Sequence, residues 1–494
     1  MRAGASAKML SSLLIAAGAE HDDAASGLSV SGVAYDSRTV RPGDLFVAVT
    51  GALADGHLYL SDAARSGAVA ALVERLDTKS LDVIPQYVVG DSRVALALVA
   101  ACFYEYPSKA LRLVGITGTN GKTTTAHLVE NILSAAGLPT GVLGTVEYRF
   151  AGVSLAAART TPESADLQRM LFEMSRRGAR AAAIEVSSHA LELGRLLGCE
   201  FDTIVFTNLS PEHLDYHKDM ETYFAAKSRL FDNAVYPARR YVINVDDAYG
   251  RRLAALCPRD KSITYGKSPG CDVRLVEYDL LPEGVSLNVS ISGKELEFTS
   301  RLKGSLNVEN VLAAVGVGVA FELEPAVISL GLKAAGGVKG RFQTLERGQD
   351  FNVIVDYAHT PDGLEKLLES ARLITPGRII LVFGCGGDRD KSKRPLMGGI
   401  GARLSDVYVI TSDNPRGEDP EAIIADVRQG ISGSTTDSYA IVDRREAIAL
   451  AVGMARRGDT VLIAGKGHET GQIFADRTIP FDDVQVTSQI LDKR

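Results

Sequence analysis

Leu111-Arg-Leu-Val-Gly-Ile-Thr-Gly-Thr-Asn-Gly-Lys-Thr-Thr-Thr125 decides how the rest of the chain is read. Leu111 to Thr117 is an apolar run of strand length. It breaks at Gly118-Thr119-Asn120-Gly121-Lys122-Thr123-Thr124, and the residues that follow, to Leu133, carry apolar positions at helical spacing. Strand, glycine loop and helix N-terminus together make a cradle in which backbone N–H groups and the helix dipole face an anion. Lys122 is placed to reach outer phosphates and the Thr123 hydroxyl to bind Mg²⁺. Two residues separate Gly118 from Gly121, so the loop is shorter than the common G-x-x-x-x-G-K-[ST] pattern. The stretch implies an ATP-dependent enzyme.

Working outward, 494 residues suggest about three domains. Hydrophobic content of 46% and charged content of 23% are ordinary for globular protein, and a net charge of -7 argues against non-specific nucleic-acid binding. The five cysteines (Cys102, Cys199, Cys257, Cys271, Cys385) form no C-x-x-C pair, which points to a reducing compartment rather than a disulfide framework. No apolar run approaches the ~18 residues of a membrane span. Met9 to Ala17 loosely imitates a signal peptide, but an amphipathic first helix accounts for it, and an ATP-consuming enzyme belongs in the cytoplasm.

Residues 1–108 read as a small α/β domain with strands near Val30–Tyr35, Leu45–Val49 and Ala68–Glu74. Asp36-Ser37-Arg38 at a strand end is either a polar-ligand site or a turn. Residues 109–340 read as the central, phosphate-loop domain. Its strands end in polar clusters: Glu185-Val-Ser187-Ser-His189 after Ala181–Ile184, and Asn208-Leu-Ser-Pro-Glu-His213-Leu-Asp215-Tyr-His217 after Thr203–Thr207. Ligands bind outside the carboxyl ends of strands in open α/β sheets. A carboxylate buried at such an end needs a partner, and for Glu185 Mg²⁺ is favoured over a structural salt bridge. On spacing alone, two of His213, Asp215 and His217 are helix caps, and Lys227, in Tyr223–Phe231, is a solvated helix lysine. Alternating runs between 261 and 303 predict antiparallel hairpins added to a parallel sheet, and Asn307 reads as the cap of a long apolar helix that also suits an adenine edge. Residues 341–494 alternate strand and helix, which predicts a third, Rossmann-like parallel sheet with polar loops at 356–362, 384–390, 413–416 and 465–469.

The assembled motifs resemble the Mur ligases, the ATP-dependent amide-forming enzymes of bacterial peptidoglycan synthesis. Gly118–Thr124, Glu185–His189, Asn208–His217, Lys227 and Asp356-Tyr-Ala-His-Thr-Pro361 carry the resemblance over nearly the whole chain. It implies ATP contacts from Gly118 to Thr124 and from Asn307 and Arg341. It also implies one Mg²⁺ on Thr123 and Glu185, and a second on His213 and Lys227, the lysine being carboxylated by CO₂ to a carbamate. A UDP-N-acetylmuramoyl dipeptide is expected at Tyr35, Ser37, Thr160, Thr161, Ser187 and Arg195. Asp413-Asn414-Pro415-Arg416 resembles the loop of members that add meso-diaminopimelate, with Arg389, Gly465 and Glu469 completing that pocket. The chemistry agrees: Arg416 can grip a carboxylate bidentately, and Asn414 offers neutral hydrogen bonds where an Asp would favour a bare ammonium. Two stretches depart from the family: Ala52-Leu53-Ala54 lacks polar residues, and Leu193 stands where glutamine is usual.

The resemblance further implies a cytoplasmic monomer whose third domain closes over the site. Lysine-adding members differ mainly at 413–416. Folylpolyglutamate synthetases lack a first domain like the 108 residues that here precede the phosphate loop. A phosphate-loop binding protein without chemistry would leave the third domain's polar loops without a purpose.

Overall fold

A computed structural model of the chain describes residues 5–20, 23–51, 54–431 and 436–494; Ala52 and Leu53 of the departing stretch lie outside them. Three main sheets follow one another along the chain, beside two two-stranded ribbons, Lys8–Met9 with Ser29–Val30 and Gly471–Ile473 with Thr478–Pro480. The first has four parallel strands in the order Gly32–Ala34, Asp44–Val47, Ala70–Val73 and Gln86–Val88. The helices Leu10–Ala17 and Ser92–Phe103 bury Leu10, Leu13, Leu14, Leu96, Val99 and Phe103 on one face, and the short helix Leu60–Arg65 covers the other. Asp36 caps the 3₁₀ turn Ser37–Thr39 through the Arg38 N–H, so this strand end is a turn.

The second sheet has eleven strands. Its parallel centre runs Thr140–Leu143, Ala181–Glu185, Arg112–Thr117, Phe201–Phe206, Ala238–Asn244, Ser262–Gly266. The strands Val273–Leu281, Gly284–Ile291 and Lys294–Ser300 extend it as antiparallel hairpins, as the alternating pattern predicts. At the opposite edge Glu147–Phe150 and Val153–Ala156 add a hairpin that the sequence reading passed over. The centre is apolar on both faces because helices cover both: Lys122–Ala135, Leu306–Ala320 and Pro325–Ala334 on one, Ser164–Arg176 and Met220–Ser228 on the other.

The phosphate-loop helix packs where Pro325–Ala334 presents Gly331. A Cβ there would enter the contact shell of the Ile132 backbone, which cannot yield as a side chain does. Gly331→Ala is therefore expected to destabilise the protein by about 1–3 kcal/mol through overpacking. Urea unfolding checks this, and an unchanged midpoint would mean that the two helices do not meet as described.

The third sheet has six strands in the order Gln343–Thr344, Asn352–Asp356, Thr460–Ala464, Ile379–Phe383, Val407–Thr411, Asp437–Ile441, all parallel except the first. Helices Pro361–Arg372, Lys393–Leu404 and Pro420–Arg428 cover one face, and Arg444–Met454 and Asp483–Leu491 the other. Both flanks of the central unit are tied to its neighbours. The Tyr35 hydroxyl donates to Asp166 at 2.7 Å and Phe172 joins the first unit's core. On the other side, Asp362 accepts from Asn120 at 2.7 Å and from Ser210 at 3.0 Å.

Candidate active site

Arg112–Thr117 is flanked by Ala181–Glu185 and Phe201–Phe206, so three polar loops open on one edge of the sheet. Gly118 has φ 147°, and a Cβ there would collide with the Thr207 side chain; Gly121 has φ 87° and faces Asn310 in the same way. The turn is thus available only to glycine at both positions. Gly121 caps Lys122–Ala135 without a side-chain bond, which leaves the first N–H groups of the helix directed at the loop.

A cleft of about 450 Å³ lies here, between the central and third units. It collects Thr119, Asn120, Gly121, Lys122, Thr123, Thr124, Thr160, Glu185, Ser187, His213, Lys227 and Arg341 from the sequence-predicted set. Gly118 is not among the residues that line it. Asn307 is buried and is not a cap: Ser305 holds that position, and the Asn307 amide donates to Lys303 O at 2.8 Å. Its neighbour Asn310, which the sequence reading did not select, lines the cleft.

Glu185 is almost fully buried, and its carboxylate accepts from the hydroxyls of Thr123 and Thr145 and from the Thr145 N–H, each at 2.9 Å. Arg341 donates to the Thr123 hydroxyl at 3.2 Å. A carboxylate beside a threonine hydroxyl is the hard oxygen set that Mg²⁺ prefers, so the donors fit that ion. Thr161 and Arg195 lie underneath. Thr161 donates to Glu185 O at 2.7 Å and accepts from Ser187 N–H, while Arg195 donates to Thr161 O, so they brace this strand end.

Lys227 overturns the solvated-helix reading. Its side chain is buried, and its ammonium donates to Gly118 O at 2.9 Å, the same carbonyl that Lys122 contacts at 2.9 Å. Burial and the nearby Lys122 charge push the Lys227 pKa well below the usual lysine value, against the pull of Glu212. An amine biased towards neutrality is the form that adds CO₂. His213 occupies the N-cap position of Leu214–His217, but its ring makes no capping bond. Asp215 is exposed, and His217 is buried with Nε2 2.9 Å from the Ser188 hydroxyl, so capping does not explain two of the three. The His213 ring is 44% exposed, yet partial desolvation and the nearby His189, Lys227 and Lys122 lower its pKa to about 4, which leaves a neutral ring able to ligate.

Glu212 was missed, although it adjoins His213. Its carboxylate lies 3.3 Å from His359 Nε2 and 3.7 Å from His213 Nε2. Burial alone would raise its pKa, but the His359 bond and the surrounding positive groups hold it far below the normal range. A depressed carboxylate pKa gives stability that is present above the unfolded value and is lost as pH falls. Glu212→Gln is accordingly expected to flatten the acid limb of the stability–pH curve below about pH 5. Melting temperatures from pH 2 to 6 test this, and a curve parallel to the parent would discard it.

The predicted amino-acid pocket lies in the third unit. Asn414 Nδ2 donates to Glu469 at 2.8 Å, and Arg416 Nη1 donates to Gly387 O at 2.8 Å. Asp413 and Pro415 are buried beside them, Gly465 turns with φ 115°, and Arg389 is exposed with Nη1 on Asp388 O. Lys466, unremarked in sequence, is wholly buried among Asp413, Asn414 and Glu469. Tyr35 and Ser37 stand on the first unit, apart from the cleft lining. Among the described residues no group of three or more His, Cys, Asp or Glu is arranged to hold a metal.

Three family models match in succession: "Mur ligase family, catalytic domain" over 29–104, "Mur ligase middle domain" over 116–318, and "Mur ligase, glutamate ligase domain" over 340–467. The chain belongs to the Mur ligase family. Relatives of this Mur ligase include a protein of Solibacter usitatus, 46% identical over 94% of this chain and 93% of its own. A protein of Geobacter metallireducens is 46% identical over 92% and 93%. Both are named UDP-N-acetylmuramoyl-L-alanyl-D-glutamate--2,6-diaminopimelate ligase. A solved structure of the same name is 34% identical with TM-score 0.69, covering 97% of this chain and 98% of its own. Folylpolyglutamate synthase of Mycobacterium tuberculosis, 16% identical with TM-score 0.61, covers only 75% of this chain and shares the fold alone. No helix among the described residues is long and apolar enough to cross a membrane.

Proposed function

We propose that this Mur ligase joins meso-2,6-diaminopimelate to UDP-N-acetylmuramoyl-L-alanyl-D-glutamate at the expense of ATP, in the cytoplasm and as a monomer. Support comes from relatives of that name at 46% identity along nearly the full chain. One observation of the site carries the choice of amino acid: Arg416, a carboxylate fork, stands on the same loop as Asn414, whose amide is bonded to the Glu469 carboxylate. Positive and negative groups side by side suit the zwitterionic far end of diaminopimelate. A bare lysine ammonium would leave Arg416 unmatched.

The free side-chain carboxylate of the D-glutamyl residue attacks the ATP γ-phosphorus, giving an acyl phosphate and ADP. The diaminopimelate amine then attacks the acyl carbon, and phosphate departs with its bonding electron pair and takes up the proton that the new amide nitrogen sheds. Lys122 and the N–H groups that begin Lys122–Ala135 neutralise charge on the transferring phosphoryl group. Thr123 and Glu185 would hold one Mg²⁺, and His213 with carboxylated Lys227 a second; bound there, such ions supply further charge neutralisation. Arg341, bonded to Thr123 across the unit boundary, ties the third unit to the phosphate loop and helps exclude water from the acyl phosphate.

The test is phosphate release from the UDP-dipeptide, ATP and Mg²⁺ with either meso-diaminopimelate or L-lysine, followed by mass spectrometry of the product. Turnover with diaminopimelate far exceeding a weak turnover with lysine is expected. Equal turnover with lysine would discard the reading of the 413–416 loop, and silence with both would discard the substrate assignment.

A further inference from the structure

We infer that Lys466 is a specificity-determining positioning residue: it fixes the orientation of the Asn414 amide and the charge of the amino-acid pocket. The inference rests on the substrate reading above. Lys466 is 0% exposed, and its ammonium donates to Asn414 Oδ1 and Glu469 Oε2 at 2.9 Å each, with Asp413 Oδ1 at 3.5 Å. An ammonium carries three donors and no acceptor, so three oxygens account for all of it.

The consequence for Asn414 is geometric. Its Oδ1 accepts from both Lys466 and the Ile473 N–H at 3.0 Å, while its Nδ2 donates to Glu469. Flipping the amide would set an NH₂ against two donors and an oxygen against a carboxylate, so only one orientation is compatible with the surroundings. The pocket therefore offers amide N–H and not amide oxygen. Glu469, whose side chain is 32% exposed, keeps carboxylate surface for a ligand ammonium, and Arg416 supplies the fork for a ligand carboxylate.

Lys466 also sets the charge. Two carboxylates, Asp413 and Glu469, share one buried cation. Without it the pocket gains a net negative charge, and the Asn414 oxygen loses one of its two donors, leaving only the Ile473 N–H and the Glu469 carboxylate to oppose its turning outward. Both changes favour a bare ammonium and repel a carboxylate, so discrimination between a zwitterionic amino-acid end and a simple amine falls even though Lys466 touches neither. The backbone makes room for this arrangement: Gly465 and Gly467, on either side, have φ 115° and 52°.

Lys466→Met is compared with the parent using both amino acids, reading kcat and KM for each substrate. The expected result is a fall of at least tenfold in the ratio of kcat/KM for meso-diaminopimelate over L-lysine. That fall should be carried by the KM for diaminopimelate, with the KM for ATP and UDP-dipeptide unchanged. Lys466→Arg, which keeps the charge but not the reach, should retain part of the ratio. A ratio within twofold of the parent, or a loss confined to kcat, overturns the proposal. Should Lys466→Met show no cooperative melting, Lys466→Arg and Lys466→Gln decide by the same ratio. A parent enzyme inactive with diaminopimelate would instead sink the substrate reading, so the two failures are distinguishable.

Discussion

Lys227→Met is expected to lower kcat by at least about a thousandfold and yet raise the melting temperature measured in metal-free, CO₂-depleted buffer. The two effects share one cause. An unmodified Lys227 keeps its amine in the protein interior beside Lys122, donating to the Gly118 carbonyl, so that it either buries an ammonium next to a like charge or gives up its proton at a pKa well below the usual lysine value. Burying such a charge is costly, and an apolar side chain of similar length removes the cost, for a gain of about 1–3 kcal/mol. On the proposed mechanism, catalysis loses what a carboxylated Lys227 would supply: an oxygen donor that, with His213, would hold a second Mg²⁺ to balance charge on the transferring phosphoryl group. Calorimetry and phosphate release on one preparation check both halves. A variant that keeps its activity removes the carbamate from the mechanism, and one that melts lower shows that the ammonium is well solvated in the fold.

Arg416→Ala is expected to lower kcat/KM for meso-diaminopimelate by about a hundredfold to a thousandfold while leaving the weak turnover of L-lysine unchanged. Losing one member of a desolvated charge pair costs roughly 2–5 kcal/mol, because the partner carboxylate is left without a counter-charge. Arg416→Lys should recover only part of the loss, since an ammonium cannot reproduce the planar fork. Backbone strain does not confuse the comparison: residue 416 has φ 50° in the parent, and alanine, lysine and arginine meet the same Cβ penalty there. Equal losses for both amino acids would show that Arg416 supports the loop and does not read the substrate.

The phosphate loop was legible because its chemistry is contiguous: strand, glycines, lysine and helix start occupy fifteen successive residues. The hairpins after 273 were legible because strict alternation has one structural meaning. Lys227 was not, since a lysine in a short helix gives no local sign that the helix turns it inward; only the resemblance marked it. Glu212 and Asp362 stayed hidden for a related reason. Their partners His359 and Asn120 lie 147 and 242 residues away in sequence, the first separation following directly from the residue numbers. Lys466 did leave a trace, the Gly-Lys-Gly of 465–467, where two glycines at positive φ signal a backbone bent to admit something. Asn307 failed as a cap because an Asn at a helix start bonds backward to Lys303 O as readily as it caps.

The ammonium of Lys122 has two backbone hosts, Gly118 O at 2.9 Å and Thr119 O at 2.6 Å, within its own loop. The ammonium has a third donor for a nucleotide phosphate; a phosphate that takes more than that one must draw the lysine from a host, and when the nucleotide leaves, the hosts take it back. The loop therefore carries a built-in competitor for its ligand. Affinity for the ground-state nucleotide is held down, and the off-rate of ADP is held up, without weakening contacts made only at the height of the reaction. The same competition sets a rule for blocking the cleft. A compound that bonds the helix-start N–H groups and leaves Lys122 with its hosts escapes that displacement cost.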